Sequence, residues 1–165
     1  MAKNQLQLVL TQLQCVWNKP SWTVTISQAL DRVEAGDAAW KCGEAGGNTI
    51  WQIVNHMNFY NERMLNRLKG LPQGASADSN EATFGEPGAA DHQSEWRDTV
   101  SRTLAIGSEI LTALEQLSAN SAEGGEDERL TEDLAKWLLH DTFHVGQIVQ
   151  IRKQQGSWPA QRVFE

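Results

Sequence analysis

His140 and His144 stand four residues apart in the most regularly periodic stretch of the chain. On a helix that spacing puts both imidazoles on one face, with Cβ atoms about 5–6 Å apart. Two ring nitrogens there can converge on one metal ion at about 2.0–2.1 Å. A third histidine, His56, lies one turn before Tyr60 at the border of a separate apolar stripe. Three nitrogens from two helices leave a coordination position open for water or substrate, as in a catalytic rather than a closed structural site. One divalent metal ion held by His56, His140 and His144 is the chemistry this pattern suggests. Spacing alone leaves a second reading open, in which each histidine is an ordinary hydrogen-bonded core residue.

The run His140-Asp141-Thr142-Phe143-His144 invites comparison with the His-Glu-x-x-His helix of zinc proteases, where the glutamate is a general base. Asp141 is one methylene shorter, and no further histidine or carboxylate follows at protease spacing. On a helical wheel it points into the apolar stripe, which suits a buried hydrogen-bonding group beside the ligands. Protease chemistry is disfavoured. Asn55, Tyr60 and Gln147 are candidates for orienting ligands or substrate, or else plain polar residues on a solvated helix edge. His92 reads as a surface residue. Cys15 reads as a small apolar residue, with nothing near it in sequence to lower its pKa. Cys42 sits in a Gly-rich turn and is expected to be exposed.

Helices must carry these groups, because the apolar residues recur at three and four rather than two. Leu6, Val9, Leu10, Leu13 and Trp17 mark a first helix. Pro20 opens a second segment through Ile26, Leu30 and Val33, weakened by the β-branched run Thr23 to Ile26 and ended by Gly43 to Gly47. Asn48 or Thr49 caps the helix that bears His56, with Gln52 placed for a capping box and Gly70 and Pro72 ending it. Residues 71–92 form a long crossover rich in Gly, Ala, Ser, Asp and Pro. Trp96, Val100, Leu104, Ile110, Leu111, Leu114 and Leu117 mark the next helix, from about Ser94 to Ser118. An acidic linker over Asn120 to Glu128 precedes the last helix, about Thr131 to Gln155, with Gly156 as its stop. Trp17, Trp51, Trp96 and Trp137 fit helix faces. Trp22, Trp40 and Trp158 lie near helix ends, with packing the expected role. The fold class is all-α, a bundle over residues 1–165 as a single domain, with room for an extra short helix.

Bulk properties narrow the partners. The chain has 165 residues, a net charge of −7 and no dense Lys/Arg block, which disfavours nucleic acid. No apolar run approaches the about 18 residues of a membrane helix, and the N-terminus lacks a signal-peptide core. Two cysteines make no disulfide framework. A cytoplasmic location follows by elimination, with no membrane partner.

Two segments resemble the DinB-like family of metal-binding four-helix bundles. Asn48-Thr49-Ile50-Trp51-Gln52-Ile53-Val54-Asn55-His56 is similar to its second core helix, which carries the first metal ligand. His140-Asp141-Thr142-Phe143-His144-Val145-Gly146-Gln147-Ile148 is similar to its last, His-x-x-x-His-x-Gly-Gln-Ile. The resemblance covers essentially the whole chain in order. It implies an up-up-down-down type of bundle with one long crossover, a homodimer, and zinc or nickel on the three matching histidines. It further implies a small-molecule thiol such as bacillithiol, mycothiol or glutathione and an electrophilic substrate, hence a metal-dependent thiol S-transferase. A non-catalytic, metal-stabilised stress-response or interaction module is the alternative, and a metal-dependent hydrolase a weaker third.

Overall fold

The computed structural model describes residues 2–43, 47–120 and 128–159. Helix α1 spans Ala2–Trp17, α2 Ile26–Leu30, α3 Ala35–Ala38, α4 Ile50–Leu68, α5 Gln93–Asn120 and α6 Glu128–Gln155, with a single 3-10 turn at Glu81–Phe84. No strand occurs among the described residues. The four long helices form the bundle. Helix α4 packs on α5 and α6, and α1 packs on the same two from the other side. The apolar stripes of α1, α4, α5 and α6 supply most of the core, with Leu13, Ile50, Val54, Met57, Ile110 and Leu134 among its most deeply buried members. No helix of the described residues is long and apolar enough to cross a membrane.

The threonines set the helix starts. Thr49 accepts from the Gln52 backbone N–H while Gln52 accepts from Thr49, closing the expected capping box. Thr25 and Gln28 repeat the device at α2. That second box accounts for a correction. The segment from Pro20 is not one helix: it is non-helical as far as Thr25, then breaks between α2 and α3, where Arg32 takes a φ of 56°. The β-branched run supplies the cap rather than a helical turn. Residues 44–46 and 121–127, which include parts of the Gly-rich turn and of the acidic linker, lie outside the described residues.

Helix directions correct a second expectation. Trp51 meets Trp96, Glu62 meets Arg102 and Lys69 meets Glu109, so α4 and α5 run parallel. On the other side His56 meets His144, Asn61 meets Trp137 and Arg67 meets Asp133, so α6 runs against both. An up-up-down-down order would make α4 and α5 antiparallel, and it does not hold. The crossover is long for this reason. Helix α4 has 19 residues and is about 28 Å long, so residues 69–92 must carry the chain back along its whole length.

Close packing fixes the helix positions. Gly107 of α5 lies against Trp17, where a Cβ would run into the indole. The Trp96 indole N–H donates to the Val33 carbonyl at 2.7 Å, tying α5 to the turn after α2. Arg152 is buried near the end of α6 and donates to the Ala29 carbonyl at 2.9 Å. Two apolar assignments need revision. Leu104 is exposed, and Thr103 and Ile106 face inward in its place, because α5 presents its stripe to α1 and α4 at once. Trp22 is 98% exposed rather than packed, since it precedes the first turn of α2.

Candidate metal centre

Helices α4 and α6 bring the three histidines together across 84 residues of sequence. The Nε2 atoms of His56 and His140 are 2.9 Å apart, and those of His140 and His144 are 3.1 Å apart. These separations approach the about 3.3 Å between nitrogens bound tetrahedrally to zinc. His56 and His144 are buried, and His140 is partly exposed on the open side. Among the described residues this is the one group of three or more His, Cys, Asp or Glu side chains placed to hold a metal ion.

Every outer ring nitrogen faces an acceptor. His56 Nδ1 lies 2.5 Å from Thr83 Oγ1, whose own proton goes to the Asn80 carbonyl. The threonine hydroxyl must therefore accept, and His56 carries its proton on Nδ1. His144 Nδ1 donates to Gln147 Oε1 at 2.7 Å. His140 Nδ1 faces the Asp141 carboxylate at 3.4 Å. With all three protons drawn outward, three Nε2 lone pairs point at one another with no hydrogen between them. A shared cation satisfies all three at once, so the donor set fits a divalent metal.

Asp141 is fully buried, as its wheel position predicted, and it continues a chain of bonds. Its second oxygen accepts from Asn61 Nδ2 at 3.3 Å, and Asn61 Oδ1 accepts from the Trp137 indole at 2.6 Å. Burial pushes the Asp141 carboxyl up, while His140 and Asn61 oppose that. Burial, then the neighbouring His144 and His140, push His56 down from 6.5 to about 4. Burial also lowers His144, with the Gln147 bond opposing and His140 adding to the fall. The charged imidazole is disfavoured at both, which keeps ligand lone pairs free at neutral pH.

The crossover closes one wall. Thr49 Oγ1 donates to the Pro87 carbonyl, Gln52 Nε2 to that of Gly85 and Asn55 Nδ2 to that of Phe84. This strapping lays the Phe84 ring flat on His56, with centroids 4.0 Å apart and planes 10° from parallel. Tyr60 turns its ring edge to His56 and donates its hydroxyl to Asn80. Of the three orienting candidates, Gln147 holds a histidine, while Asn55 and Tyr60 hold the crossover. Asn61, Thr83 and Phe84 went unpredicted. Asn61 had a signal, a polar residue at an inward position of the α4 stripe; the other two lie in an aperiodic loop. His92 is half exposed and bonded to Glu95, as expected of a surface residue. Cys15 is partly buried and Cys42 exposed, both free.

The histidines open onto a cavity of about 700 Å3 between α4 and α6. Trp137, Phe143, Phe84 and Met64 give it apolar walls, and Tyr60, Arg63 and Lys136 line it too. No Asp or Glu lines it among the described residues. No curated protein and no solved structure matches the chain. A family model described as the DinB superfamily matches residues 18–148, a span that contains all three histidines.

Proposed function

This chain belongs to the DinB superfamily, and on that premise we propose that it holds one divalent metal, zinc or nickel, on His56, His140 and His144 and uses it in thiol S-transfer. The observation that carries the reading is the convergence of three Nε2 lone pairs, with each Nδ1 turned to an outward acceptor, at the mouth of an open cavity. A closed structural site would be enclosed by a fourth protein ligand.

The charge pattern of the cavity supports a thiol over water as nucleophile. Activating water in a hydrolase commonly calls on a carboxylate base beside the metal, and no Asp or Glu lines this cavity among the described residues. Asp141 faces the outer side of His140 and is committed to Asn61. A thiol starts near 8.5 and needs far less help to ionise. A divalent cation there would supply that help, favouring the thiolate near neutral pH. The residues do the rest. Thr83, Gln147 and Asp141 hold the imidazoles in register, Phe84 shields His56 from water, and Trp137 and Phe143 offer apolar surface to an electrophilic substrate.

We place the protein in the cytoplasm, where small thiols are plentiful, and as a homodimer. Leu139, on α6, outside the cavity and 69% exposed, suits a second copy. Light scattering of the wild type and Leu139→Glu tests the dimer.

The test of function is elemental analysis of untagged protein beside His144→Ala, followed by sulfur transfer from a panel of small thiols to a chromogenic electrophile. About one metal per chain, lost in a folded variant, with saturable metal-dependent transfer, is expected. Bound metal with no transfer across thiols and metals, together with a large loss of melting temperature on chelation, would leave a metal-stabilised interaction module instead.

A further inference from the structure

The chain carries 21 acidic and 14 basic residues, yet the cavity beside the histidines collects only the minority sign. Arg63, Arg67 and Lys136 line it, with no carboxylate among the described residues. Two of these cations are already matched. Arg67 pairs with Asp133 at 2.7 Å and Lys136 with Glu132 at 2.6 Å. Arg63 is different. It is half-buried, and its guanidinium is held by neutral acceptors, the Ala75 carbonyl at 2.7 Å and Gln73 Oε1 at 2.6 Å. Those bonds use two of five N–H donors, leaving three. The guanidinium also sits over the Phe59 ring, 5.5 Å from its centroid, which further fixes its position.

Position along the helix adds a length. Arg63 is seven residues after His56, two turns along the same face of α4, and Tyr60 lies between them. The rise per residue puts its Cα about 10 Å from that of His56. A ligand lying in this groove meets the metal site at one end, apolar walls from Met64 and Trp137 in the middle, and an unpaired cation at the other.

We infer that the ligand of this cavity is an elongate carboxylate, with its metal-binding end at the histidines and its carboxylate at Arg63, two turns further along α4. The inference rests on the metal-binding reading of the three histidines, and it adds that the thiol is one carrying a distant carboxylate. Arg63 acts as a specificity residue. It offers its remaining N–H donors to the carboxylate while Gln73 and Ala75 of the crossover hold it in place.

A pair of sulfur-free probes tests the idea apart from thiol chemistry. Suberic acid monohydroxamate and octanehydroxamate share a chelating head and nearly the same length, and only the first ends in a carboxylate. Isothermal titration of both into the zinc-loaded full chain and into Arg63→Met reads the preference. The wild type is expected to bind the carboxylate probe about tenfold more tightly, as for one added charge-assisted contact. Arg63→Met should lose the preference and bind the two probes alike. Equal binding of the two by the wild type, or a preference that survives Arg63→Met, overturns the inference and leaves the metal site standing. Failure of both probes to bind zinc-loaded protein overturns it together with the reading beneath it. An Arg63-dependent preference without any sulfur transfer would keep the carboxylate site and remove the transferase.

Discussion

Asp141→Asn changes one atom of a buried side chain and should weaken metal binding far more than it weakens the fold. The carboxylate accepts on both oxygens, from His140 Nδ1 on one side and Asn61 Nδ2 on the other. An amide has one oxygen to offer. Asn61 is unable to turn over to compensate, because its own oxygen is pinned by the Trp137 indole at 2.6 Å. With the new oxygen toward His140, two NH2 groups collide. With it toward Asn61, the proton of His140 is forced onto Nε2, where the ligand lone pair is needed. A buried polar group left in this state costs about 1–3 kcal/mol, and losing such an outer partner lowers metal affinity about 10–100-fold. The 3.4 Å contact to His140 is long, so the lower half of that range is expected. The metal-free protein should lose little, since His140 is free to change tautomer there and a buried carboxylate is removed. Competition titration against a coloured chelator reads the affinity, and calorimetry of metal-free protein reads the fold. The double variant Asn61→Asp with Asp141→Asn restores the alternation of donors and acceptors from Trp137 to His140, and should recover most of the lost affinity. Unchanged affinity in Asp141→Asn, or no recovery in the double variant, would show that Asp141 does not set the tautomer of His140.

Thr83→Val removes the acceptor from His56 Nδ1 at nearly constant volume, and is expected to cost about tenfold in metal affinity by the same titration. Metal-free stability should fall in acid. His56 titrates near 4 in the folded chain and near 6.5 unfolded, so the unfolded chain takes up the proton first. Stability is then complete above pH 6.5 and declines toward pH 4, by up to about 3 kcal/mol. The raised Asp141 carboxyl gives the opposite slope at the acid end, so the difference between wild type and His56→Gln in urea melts isolates the histidine. Gly107→Ala drives a methyl into the Trp17 indole and should lower stability by about 1–3 kcal/mol, seen as a drop in Tm of roughly 3–10 °C.

The helices and the cluster of histidines were legible because they are periodic. His140 and His144 face one way since four residues nearly complete a turn, and Thr49 with Gln52 announced the start of α4 at its first residue. Direction was not legible. Nothing in residues 69–92 says whether the chain doubles back at once or returns to the far end, and only the pairing of Trp51 with Trp96 and Lys69 with Glu109 decides it. The wall over His56 was hidden for the same reason. Thr83 and Phe84 reach the site because Thr49, Gln52 and Asn55 bind crossover carbonyls, and bonds to backbone leave no trace in the partner's residue type. The short α2 was merged into a longer segment because a β-branched threonine serves equally as a poor helix residue and a good cap.

The parallel run of α4 and α5 also imposes an order in time. His56 is made early in synthesis, but its partners lie on the last helix, 84 residues on for His140. Between them in the chain lie the crossover, which travels the length of α4, and the whole of α5. The three nitrogens come together only when α6 packs antiparallel on α4. A metal there would tie α6 to α4, and if that pairing forms late in folding it acts on how long the finished bundle lasts. In stopped-flow experiments added metal should slow unfolding and leave the refolding rate nearly unchanged.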